Sequence, residues 1–211
     1  MASSDPLTVD LALVLAVDCS TSIDAADFRL QMDGLAAALR HPTLAKAIAA
    51  GEHRQVAISL MLWSDRWNQH IVLPWTLLAE NASLEIAAQR IAVIKRRSQP
   101  GGTGLAAGID YAALMLQAAL PFAADRRAID VSGDGEDNEG SSAAAARDRA
   151  VAEGITINGL PILDGSSRLE SYYRTEVTGG PGAFVEPAAD IMDFKDTILR
   201  KLLREIGRPS V

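Results

Sequence analysis

The chain has 211 residues, 48% hydrophobic and 22% charged, enough for one sizeable core in a single domain. Its 20 basic residues against 27 acidic ones give a net charge of −7, which argues against a broad phosphate-binding surface, hence against nucleic acid, and favours cationic or metal ligands. A single cysteine, Cys19, rules out an intrachain disulfide and any zinc site built on cysteine pairs.

The opening MASSDPLTVD has neither the basic start nor the apolar stretch of a signal peptide, although an initiator Met before a short polar segment is equally compatible with a removed leader. No apolar run approaches the roughly 20 residues that span a bilayer. VDLALVLAVD (9–18) is a continuous apolar run of β-formers, suited to a strand buried on both faces. Apolar residues then recur at helical spacing from Ala25 to Leu39, with Asp24 or Ser22 able to cap the start and His41-Pro42 ending the run. RQVAISLMLWS (54–64) reads as a second buried strand, and HIVLPW (70–75) as its antiparallel hairpin partner, placed at an edge by Pro74. The segment 83–95 carries a helical stripe with Ser83 as its cap. A turn-prone stretch at 98–102 leads into a buried helix over 103–120.

Further along, 126–140 begins as a strand and ends in an acidic, glycine-containing loop before a helix over 141–154. A strand at 155–163, a helix at 168–177, a short strand at 183–187 and an amphipathic helix at 190–206 complete the chain. This alternation predicts a three-layer, Rossmann-like α/β domain: a mainly parallel six-stranded sheet with one antiparallel edge strand and helices on both faces. A single domain is expected over 8–206, with 1–7 and 207–211 as flexible termini.

Open α/β sheets bind ligands at the carboxyl ends of their strands. Three polar loops fall at such ends or at helix starts: DCSTS after the first strand, GGTG before the central helix, and SGDGEDN after the fourth strand. They offer Asp18, Ser20, Ser22, Thr103 and Asp134, all hard oxygen donors, and so suit Mg²⁺, Mn²⁺ or Ca²⁺ better than zinc or copper. For the first three the plain alternative is a helix-capping turn. Gly102, Gly104 and Gly108 follow no strand, which argues against a dinucleotide fingerprint. His41, His53 and His70 lie on separate elements without ligand spacing, and Trp63, Trp67 and Trp75 read as core and edge packing.

The pattern Asp-x-Ser-x-Ser, a distant Thr, then Asp-Gly resembles the metal-ion-dependent adhesion site of von Willebrand factor type A (vWA) domains, with all five positions matched in order. The resemblance covers nearly the whole chain and implies a vWA fold. It also implies that Ser20, Ser22 and Thr103 bind the metal directly or through water, while Asp18 and Asp134 act mostly through bridging waters. The SGDG form is similar to that of a bacterial vWA-type family that is generally exported. A periplasmic or secreted location is therefore expected, with the cytoplasm as the alternative.

The implied cofactor is a divalent cation, Mg²⁺ first and Ca²⁺ or Mn²⁺ next, the additional Glu136, Asp137 and Glu139 making Ca²⁺ or a second weak cation site more credible. With neutral hydroxyls around it, such a cation keeps its charge and seeks an Asp or Glu carboxylate of a protein partner. A binding module is expected, not an enzyme. The competing readings are a metal-dependent hydrolase or phosphatase using Asp18 or Asp134 as base or nucleophile, and a structural domain with a vestigial site.

Overall fold

The structure, a computed structural model, describes residues 7–97 and 101–207. The expected flexible termini, apart from Leu7 and Gly207, and positions 98–100 of the turn-prone stretch lie outside the described residues. In chain order the elements are β1 (Thr8–Val9), β2 (Leu11–Asp18), α1 (Ala25–Leu39), α2 (Pro42–Ala49), β3 (Val56–Trp63), β4 (Gln69–Leu78), α3 (Asn81–Ala92) and α4 (Leu105–Ala118). There follow β5 (Ala123–Ala124), β6 (Arg127–Gly133), α5 (Ala143–Ala152), β7 (Ile155–Pro161), α6 (Ser167–Tyr172), a π-helical turn (Tyr173–Val177) and α7 (Phe194–Ile206).

The main sheet has the order β4-β3-β2-β6-β7, with β4 antiparallel on β3 and the other neighbours parallel. Every residue of β2 and β3 is buried, as their unbroken apolar runs require of strands covered on both faces. Leu11, Leu13, Leu15 and Val17 point into a core shared with α1, α3 and α7. The alternate residues Ala12, Val14 and Ala16 face α4 and α5, the two alanines being small enough for a helix to lie close. β4 is the expected edge strand: Pro74 is exposed, and the pairing with β3 shifts register around Leu60, where the Ser59 hydroxyl donates to the Leu73 carbonyl at 2.8 Å.

The sheet has five strands, not the six expected. The segment 183–187 does run beside β7, but it forms only isolated parallel bridges, Gly159 with Val185 and Ile162 with Ala188. Between them Pro161 of β7 has no N–H to donate to the Glu186 carbonyl, which interrupts the ladder. A small separate sheet pairs β1 with β5.

Three local differences have simple causes. His41-Pro42 ends α1 and also starts α2, since proline is well placed in a first helical turn. Glu80, not Ser83, is the N-cap of α3; Ser83 sits in the first turn and its Oγ accepts from the backbone N–H of Glu80. The helix expected over 168–177 is α6 followed by the π-helical turn, and α7 begins at Phe194.

Candidate metal centre

After β2 the chain crosses to β3 on one side, whereas β6 lies on its other side and leads on to β7. The carboxyl ends of β2 and β6 therefore flank a topological switch point, the crevice where open α/β sheets bind ligands. Asp18 is the last residue of β2, and Asp134 follows the last residue of β6. Thr103 enters the same place just before α4.

Asp24, with extended backbone, caps α1 by accepting from the N–H groups of Ala26 and Asp27. Ser20 and Ser22 are consequently not spent on the helix start. The Ser22 hydroxyl donates to Asp134 Oδ1 at 2.7 Å and lies 3.2 Å from Ser20 Oγ. The Ser20 N–H donates to Asp18 Oδ1 at 2.7 Å. Thr103 Oγ1 faces Gly135, whose missing Cβ would lie 3.3 Å from it. All five expected residues are thus brought together.

The loops are fastened by the additional acids and by groups that the sequence did not single out. Arg96 donates to the carbonyls of Cys19 and Ser20, and the Thr21 hydroxyl donates to the carbonyl of Gly101. Asn138 Oδ1 accepts from the Thr103 N–H, and Asp137 Oδ2 accepts from the Ala106 N–H at the start of α4. Glu139 pairs with Arg66, and Glu136 with Arg168. The three additional acids thus serve to fasten loops, which leaves the expected second cation site at this loop without a dedicated donor set.

The electrostatics fit a cation. Asp18 is 0% exposed, its Oδ2 is buried without a hydrogen-bond partner among the described residues, and burial pushes its pKa up to about 7. Burial also raises Asp134, against the Ser22 hydrogen bond that lowers it. Two desolvated carboxylates that repel one another, surrounded by neutral hydroxyls, are the arrangement a divalent ion relieves. Cys19 is buried and its thiol is raised to about 12, which makes it inert.

Two further features lie outside the sequence expectation. Trp63 is buried, but Trp67 is 83% exposed on the turn 64–68, which packs against the Gly101 to Gly104 loop beside the site. Asp10, His53 and Asp125 bring ligand atoms within 4.8 Å of one another, a set that could hold a metal and whose imidazole suits zinc. This second cluster lies at the opposite end of β2, roughly 26 Å from Asp18 at about 3.3 Å per residue. No local spacing could have revealed it, because its members come from three distant segments. There Asp10 also accepts from the N–H groups of His53 and Gln55.

A family model described as "Protein of unknown function (DUF1194)" matches residues 8–210. Comparison with curated proteins found no match. Among solved structures, the fold matches proximal thread matrix protein 1 from the mussel byssus, with a zinc-occupied MIDAS motif, at TM-score 0.67 and 13% identity, covering 96% of this chain and 49% of that one. It matches a von Willebrand factor type A protein from Catenulispora acidiphila at TM-score 0.62 and 16% identity, covering 94% and 43%. It also matches the conserved hypothetical protein BatB from Bacteroides thetaiotaomicron at TM-score 0.61 and 17% identity, covering 93% and 98%. The chain therefore spans about half of the mussel protein and nearly all of BatB.

Proposed function

This chain belongs to the DUF1194 family and has a vWA fold, and from that premise we propose that it is a metal-ion-dependent, adhesion-type binding module. Asp18, Ser20, Ser22, Thr103 and Asp134 hold a divalent cation, Mg²⁺ before Mn²⁺ or Ca²⁺, which grips an Asp or Glu carboxylate of a protein partner. The observation that carries this reading is the enclosed Asp18 carboxylate, unpartnered at Oδ2, within a ring of hydroxyl donors at the switch point of the sheet. When bound, the ion supplies a positive, incompletely neutralised charge at the rim.

The site supports recognition better than catalysis. Its thiol is inert, and Asp18 is too enclosed to reach a substrate. Exposed Trp67 beside the cation gives the partner an apolar surface next to its acidic group. We place the module outside the cytoplasm, a reading supported by the SGDG form of the third loop; among the described residues no helix is long and apolar enough to cross a membrane.

Titration calorimetry with Mg²⁺, Mn²⁺ and Ca²⁺ tests the cation, comparing the wild type with a Ser20→Ala, Asp134→Ala double variant of verified fold. Saturable binding lost in the variant is expected. Partner capture that persists in chelator would overturn the proposal, and Mg²⁺-dependent phosphoester turnover that vanishes in Asp18→Asn would replace it with a hydrolase.

A further inference from the structure

Gly133, the last residue of β6, stands between two polar atoms that the rest of the fold leaves unanswered. A Cβ at this position would lie 2.8 Å from Asp18 Oδ2 and 2.9 Å from the Tyr173 hydroxyl. Asp18 and Tyr173 are each 0% exposed, and among the described residues neither of these oxygens has a hydrogen-bond partner. Each carries the desolvation penalty of an unpaired buried polar group. They are chemically complementary, since a phenol has a proton to donate and an ionised carboxylate only accepts. Because residue 133 is glycine, no side chain stands between them.

Tyr173 is held there by a second glycine. Its ring edge lies against Gly159 in β7, where a Cβ would be 2.6 Å from Cδ1. The π-helical turn that begins at Tyr173 ends the regular helix at this point, and such turns recur where a side chain is aimed at a functional site. Two strands thus surrender their side chains to seat one phenol. The electrostatic coupling agrees: after burial, the charge of Asp18 is the largest influence raising the Tyr173 pKa.

We propose that Tyr173 is a positioning residue of the metal centre, its hydroxyl hydrogen-bonding to Asp18 Oδ2 directly or through one water. A neutral donor orients the carboxylate without adding a positive charge that would compete with the cation. A partner of this kind, bonded to a group that holds a metal, typically changes metal affinity by 10- to 100-fold. The effect on the cation rests on the metal-dependent reading above, whereas the bond between Tyr173 and Asp18 does not.

The test uses metal-free protein labelled with ¹³C at tyrosine Cζ. The chain has three tyrosines, Tyr111, Tyr172 and Tyr173, and the Tyr173 resonance is identified by its loss in Tyr173→Phe. Asp18→Asn is expected to move that resonance while Tyr111 stays in place; a Tyr173 resonance that does not move overturns the bond. Mn²⁺ titration follows. Tyr173→Phe, which keeps the ring in its slot, is expected to weaken binding at least tenfold with little change in the apo melting temperature, and unchanged affinity overturns the positioning role. If the wild type binds no Mn²⁺, the metal-dependent reading and the positioning role fall together, while the Cζ shift still decides the bond.

Discussion

Ser22 Oγ donates to Asp134 Oδ1 at 2.7 Å, joining the loop after β2 to the end of β6 across 112 residues of sequence. Because Asp24 carries the cap of α1, the proposed metal binding and the helix cap fall to different side chains. Asp134→Ala is expected to lower divalent-cation affinity tenfold or more with little change in stability. Asp24→Ala should do the reverse, costing about 1 kcal/mol and leaving the affinity intact. Urea denaturation paired with Mn²⁺ titration checks both. Equal losses of affinity in the two variants would return the segment 18–24 to a capping turn.

Under α7, Lys201 Nζ lies 2.6 Å from Asp130 Oδ1 and 2.8 Å from Glu205 Oε1, all three side chains being buried. Lys201→Met leaves two enclosed carboxylates without their cation and should cost about 3–5 kcal/mol. Asp130→Asn removes one of two anions facing a single ammonium and should cost much less. Comparing the two denaturation curves decides it; equal costs would mean that Asp130 is indispensable to the pairing.

The same network gives a pH dependence. Burial raises Asp130 to about 7, against the pull of Lys201, from an unfolded value near 3.9. The folded chain therefore holds this proton more tightly than the unfolded chain. Its contribution to stability is complete below pH about 4 and is lost as pH rises through about 7. Between those limits, Asp130→Asn should show a shallower decline in stability than the wild type. Parallel slopes would place the titration elsewhere.

At the other end of β2, Asp10 Oδ1 and Oδ2 accept from the backbone N–H groups of His53 and Gln55 at 2.9 and 3.2 Å. Asp10→Ala leaves those donors unpaired and is expected to destabilise the chain by about 2–4 kcal/mol. With roughly 26 Å between the two ends of the strand, Mn²⁺ binding at the Asp18 site should be unaffected. A fall in affinity measured on the folded variant would show that the two ends are coupled.

Trp67 is 83% exposed, so Trp67→Ala should change stability by no more than about 0.5 kcal/mol. Cation affinity should also hold. Chelator-sensitive partner capture is expected to drop at least tenfold, because exposed aromatics supply a large share of interface energy. Capture equal to that of the wild type would remove Trp67 from the interface.

Much of this protein was determined locally. The unbroken apolar runs of β2 and β3, the alternation of strands with helices, and the position of Asp18, Ser20, Ser22, Thr103 and Asp134 at strand ends and helix starts were all readable from periodicity and turn chemistry. Local rules also set the edge position of β4 through Pro74. Tertiary structure decided what depends on distant partners. The sixth strand reduces to bridges because Pro161 of β7 has no N–H for the Glu186 carbonyl, and the acids after Asp134 are drawn to α4, Arg66 and Arg168. His53 meets Asp10 and Asp125, and the Tyr173 hydroxyl and Asp18 Oδ2 are brought to the same space left by Gly133. A hydrophobic period records only which face of an element is buried; which polar atoms then meet across that burial depends on chain segments scores of residues apart, and is fixed only when the layers pack.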